Sequence, residues 1–137
     1  MDLGRLGIPE AGAYLWSDPW GRQAGVSPSA VLDAGIVPAH GIALRAVRPA
    51  TGKAEWLGDT LHISQGALVT AWEPESRRLT AVLGLGRRRE GTAWLWLPAA
   101  PIRVALDGAP VTWHSAGAGI VALELRLAES SHLEVEW

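Results

Sequence analysis

The sequence predicts an all-β protein, an antiparallel two-sheet β-sandwich of about eight to ten strands with Greek-key or jelly-roll-like connections. Apolar and polar residues alternate through much of the second half. The clearest case sets Val121, Leu123, Leu125 and Leu127 against Ala122, Glu124 and Arg126, which is the two-residue period of a strand. Sixteen glycines and nine prolines cut the chain into short pieces, as in sandwiches and barrels. Helical spacing fails because polar residues recur at every second position. Burying one face of each sheet against the other is the natural closure.

In chain order, residues 1–11 hold a turn or a frayed approach. Residues 13–16 read as a strand stopped by Ser17-Asp18-Pro19, and residues 17–29 as polar or turn-like. Residues 30–36 are a candidate strand. Pro38 and Gly41 make a turn. It feeds a strand over 42–48, with Ile42, Leu44 and Ala46 on one face. A short strand follows at 55–57. From Ala67 the pattern becomes a meander. Strands are expected at 68–72, 78–86 and 92–97, with Arg87-Arg88-Arg89-Glu90-Gly91 as a solvated turn. Ile102, Val104 and Leu106 line the next strand. Asp107-Gly108 signals a hairpin, with Val111 and Trp113 on its far side. The strand of Val121 and a last one carrying Leu133, Val135 and Trp137 complete the chain.

The length of 137 residues suits a single domain over 1–137, and 48% hydrophobic residues supply a core. A net charge of -2 with 19% charged residues gives no footprint for nucleic acid or an anionic membrane. No 18-residue apolar run suggests a transmembrane helix. Met1-Asp2 begins acidic, and Pro9, Glu10 and Gly12 interrupt any leader-like apolar stretch. Cysteine is absent, which excludes disulfides, thiolate metal sites and a cysteine nucleophile and fits a cytoplasmic setting. The chain has eight tryptophans, no phenylalanine, no asparagine and a single lysine among its basic residues. That bias reads as a GC-rich, bacterial coding sequence.

Few residues point to chemistry. His40, His62, His114 and His132 show no local metal-ligand spacing. Ser64 lies two residues from His62, but a strand would point both the same way without pairing them, and no nucleophile elbow is present. The acids sit in turns (Asp18, Glu73, Glu75, Glu90, Asp107) or on outward strand faces (Glu124, Glu134, Glu136), not as a concentrated glycosidase pair. Trp94 and Trp96 share one strand face. If only Leu95 and Leu97 face the core, the indoles form an outer platform for a sugar ring or another domain. If the strand is covered on both sides, they are core. Trp16 and Trp20 flank the Asp18-Pro19 turn and pack over the sandwich end.

The motifs also occur in a telling order. Asp2-Leu3-Gly4-Arg5-Leu6-Gly7-Ile8 comes first, then Tyr14, Asp18-Pro19-Trp20-Gly21, Pro38-Ala39-His40-Gly41 before apolar residues, and His62-Ile63-Ser64-Gln65-Gly66. This order resembles the C-terminal β-sandwich domain of α-galactosidase-like (melibiase-type) glycoside hydrolases. The first half carries the resemblance, and the second half matches as a run of strands. The resemblance implies a non-catalytic, cofactor-free accessory domain whose partner is a (β/α)8 barrel that holds the catalytic acids. It also implies an additional apolar strand before Asp2. That strand is missing here, so the chain is expected to be a piece of a larger glycosidase with an exposed sheet edge near residues 13–16, either open or covered in a homodimer. Two other readings stand beside it. One is a carbohydrate-binding module using Trp94, Trp96, Trp16 and Trp20. The other is a free-standing metal enzyme built on His40, His62 and His114.

Overall fold

The computed structural model describes residues 1–33 and 35–137. After a short 3-10 turn at Gly4–Leu6, twelve strands follow: β1 Tyr14–Asp18, β2 Gln23–Ser27, β3 Ala46–Pro49, β4 Glu55–Asp59, β5 Val69–Pro74, β6 Arg78–Gly84, β7 Arg89–Trp96, β8 Arg103–Leu106, β9 Ala109–Pro110, β10 Trp113–Gly117, β11 Ile120–Leu127 and β12 Ser130–Glu136. All pairings are antiparallel, in three sheets ordered β2-β1-β3, β10-β11-β7-β4 and β5-β6-β12-β8-β9. The four- and five-stranded sheets form the expected sandwich. Their nine strands are linked by crossings such as β6 to β7, β7 to β8 and β11 to β12.

The third sheet goes beyond the two-sheet expectation. Val121, Leu123, Leu125, Ala93 and Leu95 meet Leu79, Leu83, Val104, Leu133 and Val135 of the five-stranded sheet. On the opposite face of the same strands, Trp94, Ile120 and Ala122 pack with Leu15 of β1, Leu57, and Ala24 and Val26 of β2. The four-stranded sheet is thus the middle layer of three. Strands covered on both sides read as continuous apolar runs rather than alternating ones. Ile120-Val121-Ala122-Leu123 and Ala93-Trp94-Leu95 are such runs, and all are buried.

Several expectations need correction. The sheet edge near residues 13–16 is not exposed. β1 is the central strand of its sheet, paired from Tyr14 to Asp18 with β2 and from Tyr14 to Ser17 with β3. β2 lies within the supposed polar stretch 17–29. Its pattern was weak because Gly25 must admit the Trp16 indole, which would lie 2.6 Å from a Cβ there. The strand expected at 42–48 shortens to β3. β1 pairs back only to Ala46 before its chain turns at Pro19, so residues 42–45 have no neighbouring strand. The candidate strand at 30–36 reduces to one bridge, Val31 with Asp2, beside backbone bonds of Leu3 and Leu32; its Ala34 position lies outside the described residues. Asp107-Gly108, both at positive φ, does turn a hairpin, but it joins β8 to the two-residue β9. Trp113 belongs to β10 in the other sheet.

The double coverage of the middle sheet makes Trp94 and Leu123 equally internal. Trp94→Ala and Leu123→Ala are each expected to lower unfolding free energy by about 3–5 and 2–5 kcal/mol, respectively. Urea unfolding of the two variants measures both.

Candidate functional site

Two of the motifs, Asp18-Pro19-Trp20-Gly21 and His62-Ile63-Ser64-Gln65-Gly66, meet where the N-terminal sheet adjoins the loop after β4. Asp18 closes β1. Its Oδ1 accepts N–H bonds from Trp20 (3.0 Å) and Gly21 (2.7 Å), which makes the turn. Its Oδ2 pairs with the Arg45 guanidinium. Arg45 in turn lies over the Trp16 ring, 5.0 Å from its centroid, an arrangement that holds a cation by the ring's electron-rich face. Among the described residues, Arg45 Nε is buried without a hydrogen-bond partner.

The second knot is built on Asp59, which is fully buried. Oδ1 accepts from the N–H groups of Leu61 (2.9 Å) and His62 (2.8 Å). Oδ2 accepts from Trp56 Nε1 (3.3 Å) and the Gly66 N–H (3.4 Å). Gln65 locks the same loop. Its Oε1 accepts from the Asp59 N–H, and its Nε2 donates to the carbonyls of Asp59 and His62. Burial pushes the Asp59 carboxyl above the usual aspartate range, and the four donors only partly oppose it. Ser17 Oγ donates to the Leu57 carbonyl and ties β1 to β4. Gly58 is required at that crossing, because a Cβ there would fall on Ser17 Oγ and lie 2.5 Å from Gln65 Oε1.

Between the two knots lies an open cleft of ≈ 220 Å³, lined by Pro19, Trp20, Leu61, His62, Ile63 and Gln65. Trp20 is 53% exposed and Ile63 65%. The cleft is held in place by Arg22, which donates to Thr92 Oγ1, and by Thr60 Oγ1, which accepts the Thr92 N–H.

The four tryptophans singled out in the sequence separate here. Trp94 is 4% exposed and lies between two sheets. Trp96 is half-buried, with its Nε1 donating to the Ala118 carbonyl. The two do not form an outer platform, because the N-terminal sheet covers their face. Trp16 is half-buried under Arg45, and Trp20 alone of the four is exposed. His40 is an exposed turn residue at φ 61, and His114 and His132 are exposed on β10 and β12. No group of three or more potential metal ligands occurs among the described residues. His62 Nδ1 does contact Ser64 Oγ, contrary to the sequence expectation, because residues 62–64 form a turn rather than a strand. The bond lies on the exposed rim of the loop. Asp59 binds the His62 backbone and not its ring.

Comparison of the sequence with protein-family models gives no match, and comparison with curated proteins gives none either.

Arg45 and Asp59 were not singled out as functional in the sequence. Both sit at breaks in the apolar pattern, where a charge must be buried with partners or excluded. Two expected outcomes test the knot. Gly58→Ala forces Ser17 and Gln65 apart and lowers stability by about 1–3 kcal/mol in urea unfolding. Asp59→Asn leaves donors unmatched and costs roughly 2 kcal/mol. Because the folded carboxyl titrates above its unfolded value, the stability due to Asp59 is full below the unfolded value and is lost as pH rises through the folded one. The gap between wild type and Asp59→Asn therefore narrows as pH rises from about 4, as urea midpoints across that range will report.

Proposed function

We propose that the chain is a non-catalytic accessory domain of an α-galactosidase-like glycoside hydrolase, which packs against and stabilises a (β/α)8 catalytic barrel. The order of the sequence motifs supports this reading, together with the work those motifs do. Asp18, Asp59 and Gln65 bind backbone groups or an ion-pair partner. Leu3 and Tyr14 are buried together with Leu32. These residues set the shape of a surface.

The observation that carries the reading is where apolar side chains remain exposed. Of the ten large hydrophobic residues exposed among the described residues, eight fall between Met1 and Ile63. They include Trp20, Ile63, and the loop residues Ile36 (98% exposed), Val37 and Ile42 (77%). Such a concentration suits a face that another domain covers. The same loop ends at Arg45, whose partner Asp18 carries the Trp20 turn, so its C-terminal end lies beside the cleft.

An antibody raised against this 14.6 kDa chain gives the direct test in lysates of the organism that encodes it. The expected result is a several-fold heavier polypeptide in which mass spectrometry finds barrel-glycosidase peptides. A band at the chain's own mass with no such peptides overturns the proposal. The double variant Ile36→Ser, Ile42→Ser is expected to leave the isolated domain within about 0.5 kcal/mol of wild type, while lowering the thermal stability of the whole enzyme.

A further inference from the structure

One side of the stack brings together the edge strands of all three sheets: β3, β4 and β5. Between them opens a cleft of ≈ 270 Å³. Arg48 enters it from β3, Glu55 and Trp56 from β4, Trp72 from β5, and Gln65 and Gly66 from the loop of the Asp59 knot. The volume approaches the low end of small-molecule pockets, roughly 300 Å³.

Arg48 is the unusual member. It is directly opposite Leu15 in register, so it projects toward the inner side of the N-terminal sheet. The other half-buried arginine of that strand region, Arg45, has an ion-pair partner in Asp18. Among the described residues the Arg48 guanidinium makes neither a hydrogen bond nor an ion pair. Glu55 is close enough to favour its charge, but burial outweighs that effect and pulls Arg48 below the ordinary arginine value. Glu55 Oε1 is already occupied by the Thr51 N–H (2.7 Å) and hydroxyl (2.8 Å). A partly desolvated cation with an open donor fork is a receptor for a planar anion, and carboxylate matches that fork with two parallel bonds.

The tryptophans supply the second half of the site. Trp72 Nε1 donates to the Ala54 carbonyl (3.2 Å), and the ring stands edge-to-face with Trp56 at 6.3 Å between centroids and 88° between planes. The indole is therefore fixed in orientation while still half-buried at the cleft. Gly66, at φ 92, turns the loop backbone beside Trp56. A flat, preset aromatic wall beside an unpaired guanidinium selects a ligand with an apolar ring face and a carboxylate.

We propose that the cleft between β3, β4 and β5 binds a small cyclic carboxylate, with the carboxylate on Arg48 and the ring against Trp72. Sugar acids and aromatic acids share this chemistry. The second oxygen of Glu55 adds an acceptor for a hydroxyl, which a sugar acid offers and a simple aromatic acid does not.

The test is a titration of the whole 15N-labelled chain, followed by amide and indole NMR shifts. Four probes are used: sodium glucuronate, sodium benzoate, and the neutral methyl glucoside and benzyl alcohol. At least one acid is expected to give saturable shifts at the Trp72 indole N–H and the Gly66 amide, about tenfold tighter or more than its neutral counterpart. Tighter glucuronate identifies the sugar-acid source and tighter benzoate the aromatic one; either upholds the site. Arg48→Gln is expected to weaken binding about tenfold or more with an otherwise unchanged spectrum. If that variant does not fold, Arg48→Lys keeps the charge but loses the fork, and weaker binding is again expected. The proposal is overturned if neither acid gives saturable shifts, if neutral probes bind equally well, if the substitution leaves affinity unchanged, or if shifts centre on Arg87-Arg88-Arg89.

Discussion

Where β7 and β11 run apolar, at residues 93–95 and 120–123, the middle sheet has no solvent-facing side, and much of the molecule follows from that. β7 and β11 carry apolar side chains at successive positions, so neither face can be left in water. The five-stranded sheet covers one face as in an ordinary sandwich. The other face requires a third layer, and residues from the first third of the chain provide it through Leu15, Ala24 and Val26. The hydrophobic effect rewards this arrangement without specifying its angle or register. Those are set by a few polar contacts at the layer boundary, chiefly the Ser17 hydroxyl on the Leu57 carbonyl and the Arg22 donor on Thr92.

The two aspartates divide the remaining work. Asp18 shapes the end of β1 and recruits Arg45, which brings the start of β3 alongside. Asp59 gathers a loop that would otherwise carry unsatisfied N–H groups into the interior. The open surfaces lie beside these knots rather than within them. Rigid loops pinned by buried carboxylates let neighbouring side chains such as Trp20, Ile63 and Gly66 hold fixed positions while exposed or facing a cleft.

The all-β class was legible in the sequence, and so were strands such as β6 and β12, which have one face on a single core and so alternate. The meander expected from Ala67 is not formed, because β6 to β7, β7 to β8 and β11 to β12 cross between sheets. The third layer was harder to see. Its signal was present in Ala93-Trp94-Leu95 and Ile120-Val121-Ala122-Leu123, where alternation breaks into a run, and either reading of Trp94 fitted until a cover for that face was identified. β2 was hidden because Gly25 makes room for an indole and so weakens the strand signature. The strand at 42–48 was overread because alternation reports a face and not a partner; Ile42 alternates correctly but has no strand beside it. At the motifs, the importance of Asp18 and of the loop ending in Gly66 was readable. That Asp59 and Arg45 are their hubs depends on contacts across 27 residues or made by the backbone itself, which spacing alone does not encode. Arg48 and Trp72 come together only through the stacking of three sheet edges.

The order of the layers sets a schedule for synthesis. Leu15 and Val26 leave the ribosome first, yet Trp94 and Ile120, the surfaces they cover, are made much later. At ordinary translation speeds of about 5–20 residues per second, the N-terminal layer waits roughly 5 to 20 seconds for its seat. During that interval a short three-stranded sheet must keep an apolar face from associating with neighbours, with Leu3, Tyr14 and Leu32 and the residues packed on them, Ile8, Ala11, Trp16 and Val47, as the local cluster that holds its shape.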